Sequence, residues 1–254
     1  NTIQLIFKKC WKPCIKYAKT YSTLILLFSC LLVFLAPLLI FPDQITNRNN
    51  DLLEFKQSFA FFKKTIQEHH IIPLWQNRTL SGSPYLGDPQ NPILYLPNYL
   101  VLAIPLNYFF VLSFAAHFFI ALLGTYLFFC ALKFKKSTSI CVAMIYAFSP
   151  KFTGHLEAGH VNLVVAYAWI PFVYYSLVQF KTKAKITHSM LLGYSLTAIF
   201  LNYITIFMYV VPTILVLMLS HLKIVKVKLH FILLSVVIFL LISLPQLVVA
   251  LKYF

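Results

Sequence analysis

Carboxylates are the side chains that most restrict the chemistry of this 254-residue chain, because it contains only six of them. They are Asp43, Asp51, Glu54, Glu68, Asp88 and Glu157. A carboxylate at a membrane surface can act as a general base or bind a divalent cation, and Asp51 is the first candidate. The alternative is structural: Asp51 begins a predicted helix with Glu54 three residues later, the pattern of an N-cap with a capping box. The sequence leaves both explanations open.

A second polar group stands in the segment 71–90, IIPLWQNRTLSGSPYLGDPQ, whose glycines and prolines break any regular element. It carries the candidate binding residues Trp75, Arg78, Asp88 and Gln90. Arg78 offers the forked geometry that suits a phosphate, although attraction to anionic lipid headgroups would also explain a cation here. Asp88 has a structural alternative as well, because Asp before Pro favours a turn.

The third group lies in SPKFTGHLEAGH, residues 149–160, where His155, Glu157 and His160 stand close together. These residue types can bind a metal ion. Their spacing matches no established metal motif, however, so the better prediction for 149–160 is a polar loop.

Between these groups the chain is apolar: 60% of its residues are hydrophobic and only 11% are charged. Long apolar runs of this kind predict an all-α integral membrane protein built as a polytopic helical bundle. The predicted spans are seven in number, at 21–41, 107–132, 137–150, 160–180, 186–201, 203–221 and 229–249.

Lysine clusters predict how the bundle is oriented. KFKK (133–136), KTKAK (181–185) and KIVKVK (223–228) fall on the same side as the basic N-terminus, so 14 of the 21 Lys and Arg lie there. By the positive-inside rule this side is cytoplasmic, and all six acidic residues then lie outside. The net charge of +15 does not predict binding of nucleic acid, because the cations lie at turns between spans. His117 lies within a span, where a packed, hydrogen-bonded histidine is the better explanation.

The chain is predicted to be one transmembrane domain (1–254) with two extracytoplasmic loops, 42–92 and 149–160. In the first loop, DLLEFKQSFAFFKKTIQEHH predicts a helix with an apolar stripe at three- and four-residue steps. We expect this helix to lie on the outer membrane surface with its phenylalanines in the lipid boundary. The proline-interrupted run NPILYLPNYLVLAIPL that follows is predicted to be re-entrant or interfacial.

Four segments together resemble the GT-C superfamily of membrane glycosyltransferases, and more closely the bacterial YfhO-like membrane proteins. They are NNDLLEFKQSF, IPLWQNRTLSGSPYLGDPQNPILYLPNYL, GHVNLVVAYAWIPFVYYSL and LPQLVVALKYF. The specific part is the order of the Pro-Leu-Trp, Gly-x-Pro and Asp-Pro-Gln elements, and the resemblance extends over 45–254. Related proteins are usually longer, so we expect the chain to be the N-terminal part of a longer protein.

The resemblance implies a sugar transferase that uses a polyprenyl-phosphate-linked donor and a glycan or lipid acceptor at the outer face of the plasma membrane. Asp51 matches the acidic residue that serves this superfamily as catalytic base or metal contact. The chain has Asn50-Asp51 where many members have an acidic pair, so it stays open whether a divalent cation, Mg²⁺ or Mn²⁺, takes part with Asp51 as its contact. Independently of the resemblance, the candidate substrate contacts are Trp75, Arg78, Asp88, Gln90, His155, Glu157 and His160. Trp75 is suited to stacking on a sugar ring, although a Trp at the membrane interface is common in any membrane protein.

Two other classes of function remain open from the sequence. A flippase or transporter of lipid-linked glycans would need a polar path through the bundle, and the spans contain no deep Asp, Glu, Lys or Arg. A non-catalytic scaffold of envelope assembly would tolerate replacement of Asp51 and Asp88.

Overall fold

The computed structural model describes residues 22–43, 50–77 and 81–253, and 81% of the structure is helical. The elements are α1 (Ser22–Ile40), α2 (Asn50–His69), β1 (Trp75–Gln76), β2 (Ser83–Pro84), a 3₁₀ helix (Leu96–Leu102), α3 (Leu106–Ala131), α4 (Lys136–Ala147), α5 (Pro150–Glu157), α6 (Val161–Lys183), α7 (Ile186–Asn202), α8 (Ile204–Leu219) and α9 (Leu222–Tyr253). α9 is kinked at Lys228, whose backbone is not helical. The predicted all-α class is confirmed.

Four of these helices are long and apolar enough to cross a bilayer: α1, α3, α6 and the part of α9 that begins at Lys228. Much of their apolar surface is exposed on the protein; Val33 on α1 and Leu241 on α9 are 78% and 70% exposed. Lipid is the environment that suits such surfaces. The predicted spans 137–150, 186–201 and 203–221 also form helices, α4, α7 and α8, but these have 12, 17 and 16 residues. A seven-span topology therefore stays a prediction.

The bundle packs its helices in a chain of neighbours, with α3 against α4 and α6, α6 against α7, and α7 against α9. Small residues allow the closest approaches. A Cβ added to Gly193 of α7 would stand 2.7 Å from the carbonyl oxygen of Ser235 in α9. Any larger residue at position 193 would push α7 and α9 apart.

His117 is buried in the bundle and fully hydrogen-bonded, as predicted. Its Nδ1 lies 2.6 Å from the carbonyl oxygen of Ser113 and must donate to it. Nε2 therefore accepts, and the hydroxyl of Tyr95 lies 2.8 Å away. The Trp169 indole nitrogen in turn donates to that hydroxyl over 2.8 Å. The network fixes the tautomer of His117 and ties the segment before the 3₁₀ helix to α3 and α6.

α2 forms where the three- and four-residue periodicity predicts a helix, but its apolar stripe does not face lipid. Leu52, Phe59 and Phe62 are at most 4% exposed. The Phe59 ring packs 5.1 Å from that of Phe109, at the start of α3. The expectation that the phenylalanines lie in the lipid boundary is wrong for these residues, because the protein itself covers the stripe. α2 therefore packs on one end of the bundle through this stripe.

Candidate functional site between α2, α5 and α6

The second predicted loop is partly helical. Ser149 caps α5, its hydroxyl accepting from the Phe152 amide over 3.4 Å, and Pro150 occupies the first turn. This is the ordinary signal for a helix start. α5 ends at Glu157, and Gly159 then turns the chain into α6 with φ +80°. The short helix presents His155, and the turn presents His160.

Gly159 brings this turn into direct contact with the first turn of α2. A Cβ at position 159 would lie 2.9 Å from both the amide nitrogen and the Cβ of Leu52. Its positive φ also favours glycine. Residue 159 must therefore be small for the two segments to meet.

The contact joins Asp51 to His160 across 109 positions of sequence. Asp51 Oδ2 and His160 Nε2 are 2.8 Å apart, with side chains 55% and 40% exposed. α2 already includes Asn50, so Asp51 lies within its first turn rather than at its cap. A carboxylate there is favoured by the helix dipole. Within the described part of the chain, Oδ1 of Asp51 accepts no hydrogen bond and stays available to a ligand.

His155 extends the pair into a row of three side chains. Its Nδ1 lies 3.1 Å from Nδ1 of His160, and its ring stacks on Tyr167 at 5.9 Å. An ionised carboxylate only accepts, so Nε2 of His160 carries a proton. When His160 is neutral, its Nδ1 then accepts from His155. Burial lowers the pKa of His155, and the neighbouring His160 and Lys151 lower it further, which favours a neutral His155 in this row.

A cavity of about 550 Å³ adjoins the three side chains. Asp51, Glu54 and Phe55 of α2 form one wall, and the ends of α6, α7 and α8 form another. A second space of about 340 Å³ shares Glu54, Phe55 and Gln90 with it and extends under the 71–90 segment. Volumes in this range are typical of sites for small molecules.

Hydrogen bonds tie the four sequence segments of the resemblance together around the cavity. Besides the pair of Asp51 and His160, the Asn162 amide donates to the carbonyl of Gln90 over 2.8 Å, across 72 positions. The Gln246 amide of α9 donates to the carbonyl of Asp88 over 3.2 Å, across 158 positions. Segments far apart in sequence therefore form one site.

Some of the other residues predicted to contact substrate line the two spaces, and others do not. Gln90 lines both spaces, whereas Asp88 lines only the smaller one. Trp75 and Glu157 do not line either space; Trp75 instead packs against Gly82 and stands 6.0 Å from the ring of Tyr253. Arg78 lies outside the described residues.

Among the lining residues that were not predicted, two are polar and buried, Asn162 and Asn202. They are 4% and 2% exposed, and each donates its amide hydrogen to a backbone carbonyl, of Gln90 and Ala198 respectively. Because the partner is a carbonyl, the bonded atom must be nitrogen, which identifies the other atom as oxygen. Neither oxygen has a hydrogen-bond partner among the described residues. An isolated Asn at the end of an apolar run is the signal that would have found both.

The described ranges hold no group of three or more His, Cys, Asp or Glu side chains arranged for a metal ion. The carboxylates of the larger cavity are Asp51 and Glu54. Mg²⁺ is commonly bound by one or two carboxylates together with substrate phosphate and water, so these two residues fit that manner of binding.

Comparison with known proteins adds no relative: no protein-family model matches the sequence, and no curated protein and no solved structure matches it significantly.

Proposed function

We propose that this chain is a membrane glycosyltransferase of the GT-C type, which transfers a sugar from a polyprenyl-phosphate donor to an envelope glycan or lipid. The observation that carries the proposal is the 2.8 Å contact of Asp51 and His160 at the edge of a cavity of about 550 Å³. It holds one oxygen of an exposed carboxylate, and no described residue donates to the other oxygen. A base fixed beside a cavity is what activation of a hydroxyl requires.

The proposal includes seven spans, with the N-terminus in the cytoplasm and the cavity facing out. α3 begins beside α2 and ends at the KFKK turn; α4 begins at that turn and leads into α5 at the site. α7 and α8 run between a lysine-bearing turn and the cavity, which both contact. α3, α4, α6, α7, α8 and the span of α9 thus each connect an acidic end of the protein with a basic end. The positive-inside rule then supports a plasma membrane with the site at its outer face.

In the proposed reaction, Asp51 takes the proton of the acceptor hydroxyl. The acceptor oxygen forms its bond to the anomeric carbon as the bond from that carbon to the phosphate oxygen breaks, and polyprenyl phosphate leaves with the bonding electrons. A single displacement inverts the anomeric centre. His160 keeps Asp51 oriented through its Nε2 hydrogen, and the exposed apolar helix faces accommodate the polyprenyl chain. A divalent cation, if bound by Asp51 and Glu54, would neutralise phosphate charge.

The test is sugar transfer from radiolabelled polyprenyl-phosphate donors in membranes that carry the protein. Asp51→Asn retains an oxygen for His160 but cannot take the proton, so transfer should fall at least about 100-fold. The matched control is Glu68→Gln, which removes the same charge from the exposed far end of α2, where Glu68 only faces Lys64 at 3.7 Å. The control should transfer within about twofold of the parent, as for most surface substitutions.

Equal transfer by the parent and by a folded Asp51→Asn protein would remove the base from the proposal. No transfer by the parent with any donor would instead direct attention to a flippase or a scaffold.

A further inference from the structure

A third cavity, of about 220 Å³, lies at the opposite end of the bundle from the candidate site. Its walls are the last turns of α3, α6 and α8 and the beginning of α9. The length of α6 gives the distance between this cavity and the candidate site. The helix begins at Val161, beside His160, and carries Lys181 twenty residues later. At 1.5 Å per residue these two positions are about 30 Å apart, the thickness of a bilayer core.

The walls of this cavity are apolar, and its charged members are cations. Leu177, Met218 and Ile232 contribute to the apolar part, and Lys181 and Lys228 are the charged residues. The kink of α9 falls at Lys228, where the span begins. The charges thus stand at the end of an apolar surface, at the level expected for lipid headgroups.

No carboxylate of the surrounding helices can neutralise these lysines. The sequence has no Asp or Glu between 89 and 156 and none after Glu157, so α3, α4, α6, α7, α8 and α9 contain no acidic residue at all. His221, the remaining basic member of the wall, donates Nδ1–H to the carbonyl of Ser220 over 2.7 Å. The site is therefore complementary to an anion.

We propose that this cavity binds the phosphate headgroup of an anionic membrane lipid, with Lys181 and Lys228 as cationic contacts and the apolar wall receiving the start of an acyl chain. The volume is below the roughly 300–1,000 Å³ of sites that enclose a whole small molecule. An occupant with only its head and first methylenes inside, and its remainder in the bilayer, fits this size. Basic pockets between helix ends are a known mode of headgroup binding.

The experiment measures lipid retained by the purified full chain, using native mass spectrometry with phosphatidylglycerol and phosphatidylcholine as probes. The double variant Lys181→Gln/Lys228→Gln should lose phosphatidylglycerol affinity by about tenfold or more. Lys135→Gln/Lys185→Gln is the matched control: it removes the same charge from exposed residues at the same end that do not line the cavity. The control should retain the parental affinity.

Met218→Trp separates the apolar contact from the charges. It fills the cavity and leaves both lysines in place, so phosphatidylglycerol binding should fall although net charge is unchanged. Thermal unfolding of each variant verifies the fold.

Equal loss in the cavity and control doubles would mean diffuse attraction to the basic end and would overturn the proposal, as would no loss in either. A third arm adds inorganic phosphate alone. If millimolar phosphate displaces phosphatidylglycerol completely and Met218→Trp has no effect, the site recognises a free anion and the lipid is rejected. None of these outcomes depends on sugar transfer, so this proposal and the transferase proposal can fail separately.

Discussion

Asp51 and Asp88 belong to the same predicted loop, yet the fold gives their carboxylates opposite surroundings. Asp51 is 55% exposed, and among the described residues only its Oδ2 has a partner, His160. Asp88 uses both oxygens: Oδ1 accepts from the Gln90 amide over 2.8 Å and Oδ2 from the Asn91 side chain over 2.9 Å. Burial raises the pKa of Asp88, and the bond from Gln90 opposes this only in part.

The difference supports different proposed roles for the two carboxylates. A side chain whose acceptors are all occupied holds a turn together, and Asp88 does this for the 71–90 segment. A side chain held at one oxygen is oriented and keeps its second oxygen for a ligand, which agrees with the base proposed at Asp51. The sequence leaves a functional and a structural explanation open at both positions, catalysis at Asp51 and substrate binding at Asp88, and their hydrogen bonds differ. Chemistry and stability should therefore respond oppositely when each is replaced by the same residue.

The largest expected effect is on transfer by Asp51→Ala. Loss of the base should reduce transfer about 100-fold or more. The thermal midpoint should stay near the parental value, because exposed ion pairs contribute about 0–1 kcal/mol. Transfer per folded molecule and thermal unfolding in detergent measure the two effects. A large loss of stability with transfer retained in the folded fraction would reverse the roles assigned to the two carboxylates.

The next effect concerns the contact that brings His160 to Asp51. Gly159→Ala places a Cβ 2.9 Å from the backbone of Leu52 at a positive φ, so the turn must move. We expect a loss of about 1–3 kcal/mol in unfolding free energy together with reduced transfer. The control is Gly154→Ala in α5, where a Cβ meets nothing within 4 Å; it should be neutral or stabilise the helix slightly. Equal stability of the two variants would show that the contact is not tight.

Asp88→Ala should have a smaller effect, and on stability rather than on chemistry. It leaves the amide of Asn91, a residue only 6% exposed, without its acceptor. An unpaired buried donor costs about 1–2 kcal/mol, which appears as a lower thermal midpoint. Transfer per folded molecule should change little. A hundredfold loss of transfer in the folded Asp88→Ala protein would make Asp88 a reactive group and erase its contrast with Asp51.

Local sequence patterns predicted much of the fold. Apolar runs located every long helix, and the periodicity of 50–69 located α2 with its stripe. What the stripe faces could not be predicted, because Phe59 finds Phe109 only when α3 folds beside it. The segment of α5 was predicted as a polar loop, although Ser149-Pro150 is a recognisable helix start.

The candidate site was predictable residue by residue but not as an arrangement. Asp51, His155, His160 and Gln90 were identified by type, since polar side chains are scarce in this chain. Which of them meet depends on contacts across 72 to 158 positions of sequence. Local sequence patterns do not predict contacts between segments so far apart. Trp75 shows the converse: an aromatic residue suited to a sugar packs against Gly82 and away from both spaces.

The smallest expected effect is a dependence of stability on pH through His155. Its pKa is lowered in the folded protein, so the unfolded chain binds more protons between that pKa and the ordinary value near 6.5. Acidification from pH 7.5 to 5.5 should therefore destabilise the parent more than His155→Gln, by less than about 1 kcal/mol because solvent screens the site. His70→Asn, at an exposed position beyond α2, is the control, and thermal midpoints at both pH values are the measurement. Equal pH-dependent shifts of the thermal midpoint in the parent and in His155→Gln would show that His155 does not take part in the row as a neutral donor. A smaller shift in the variant would support a neutral His155 that donates to His160, which keeps the Nε2 hydrogen of His160 on Asp51.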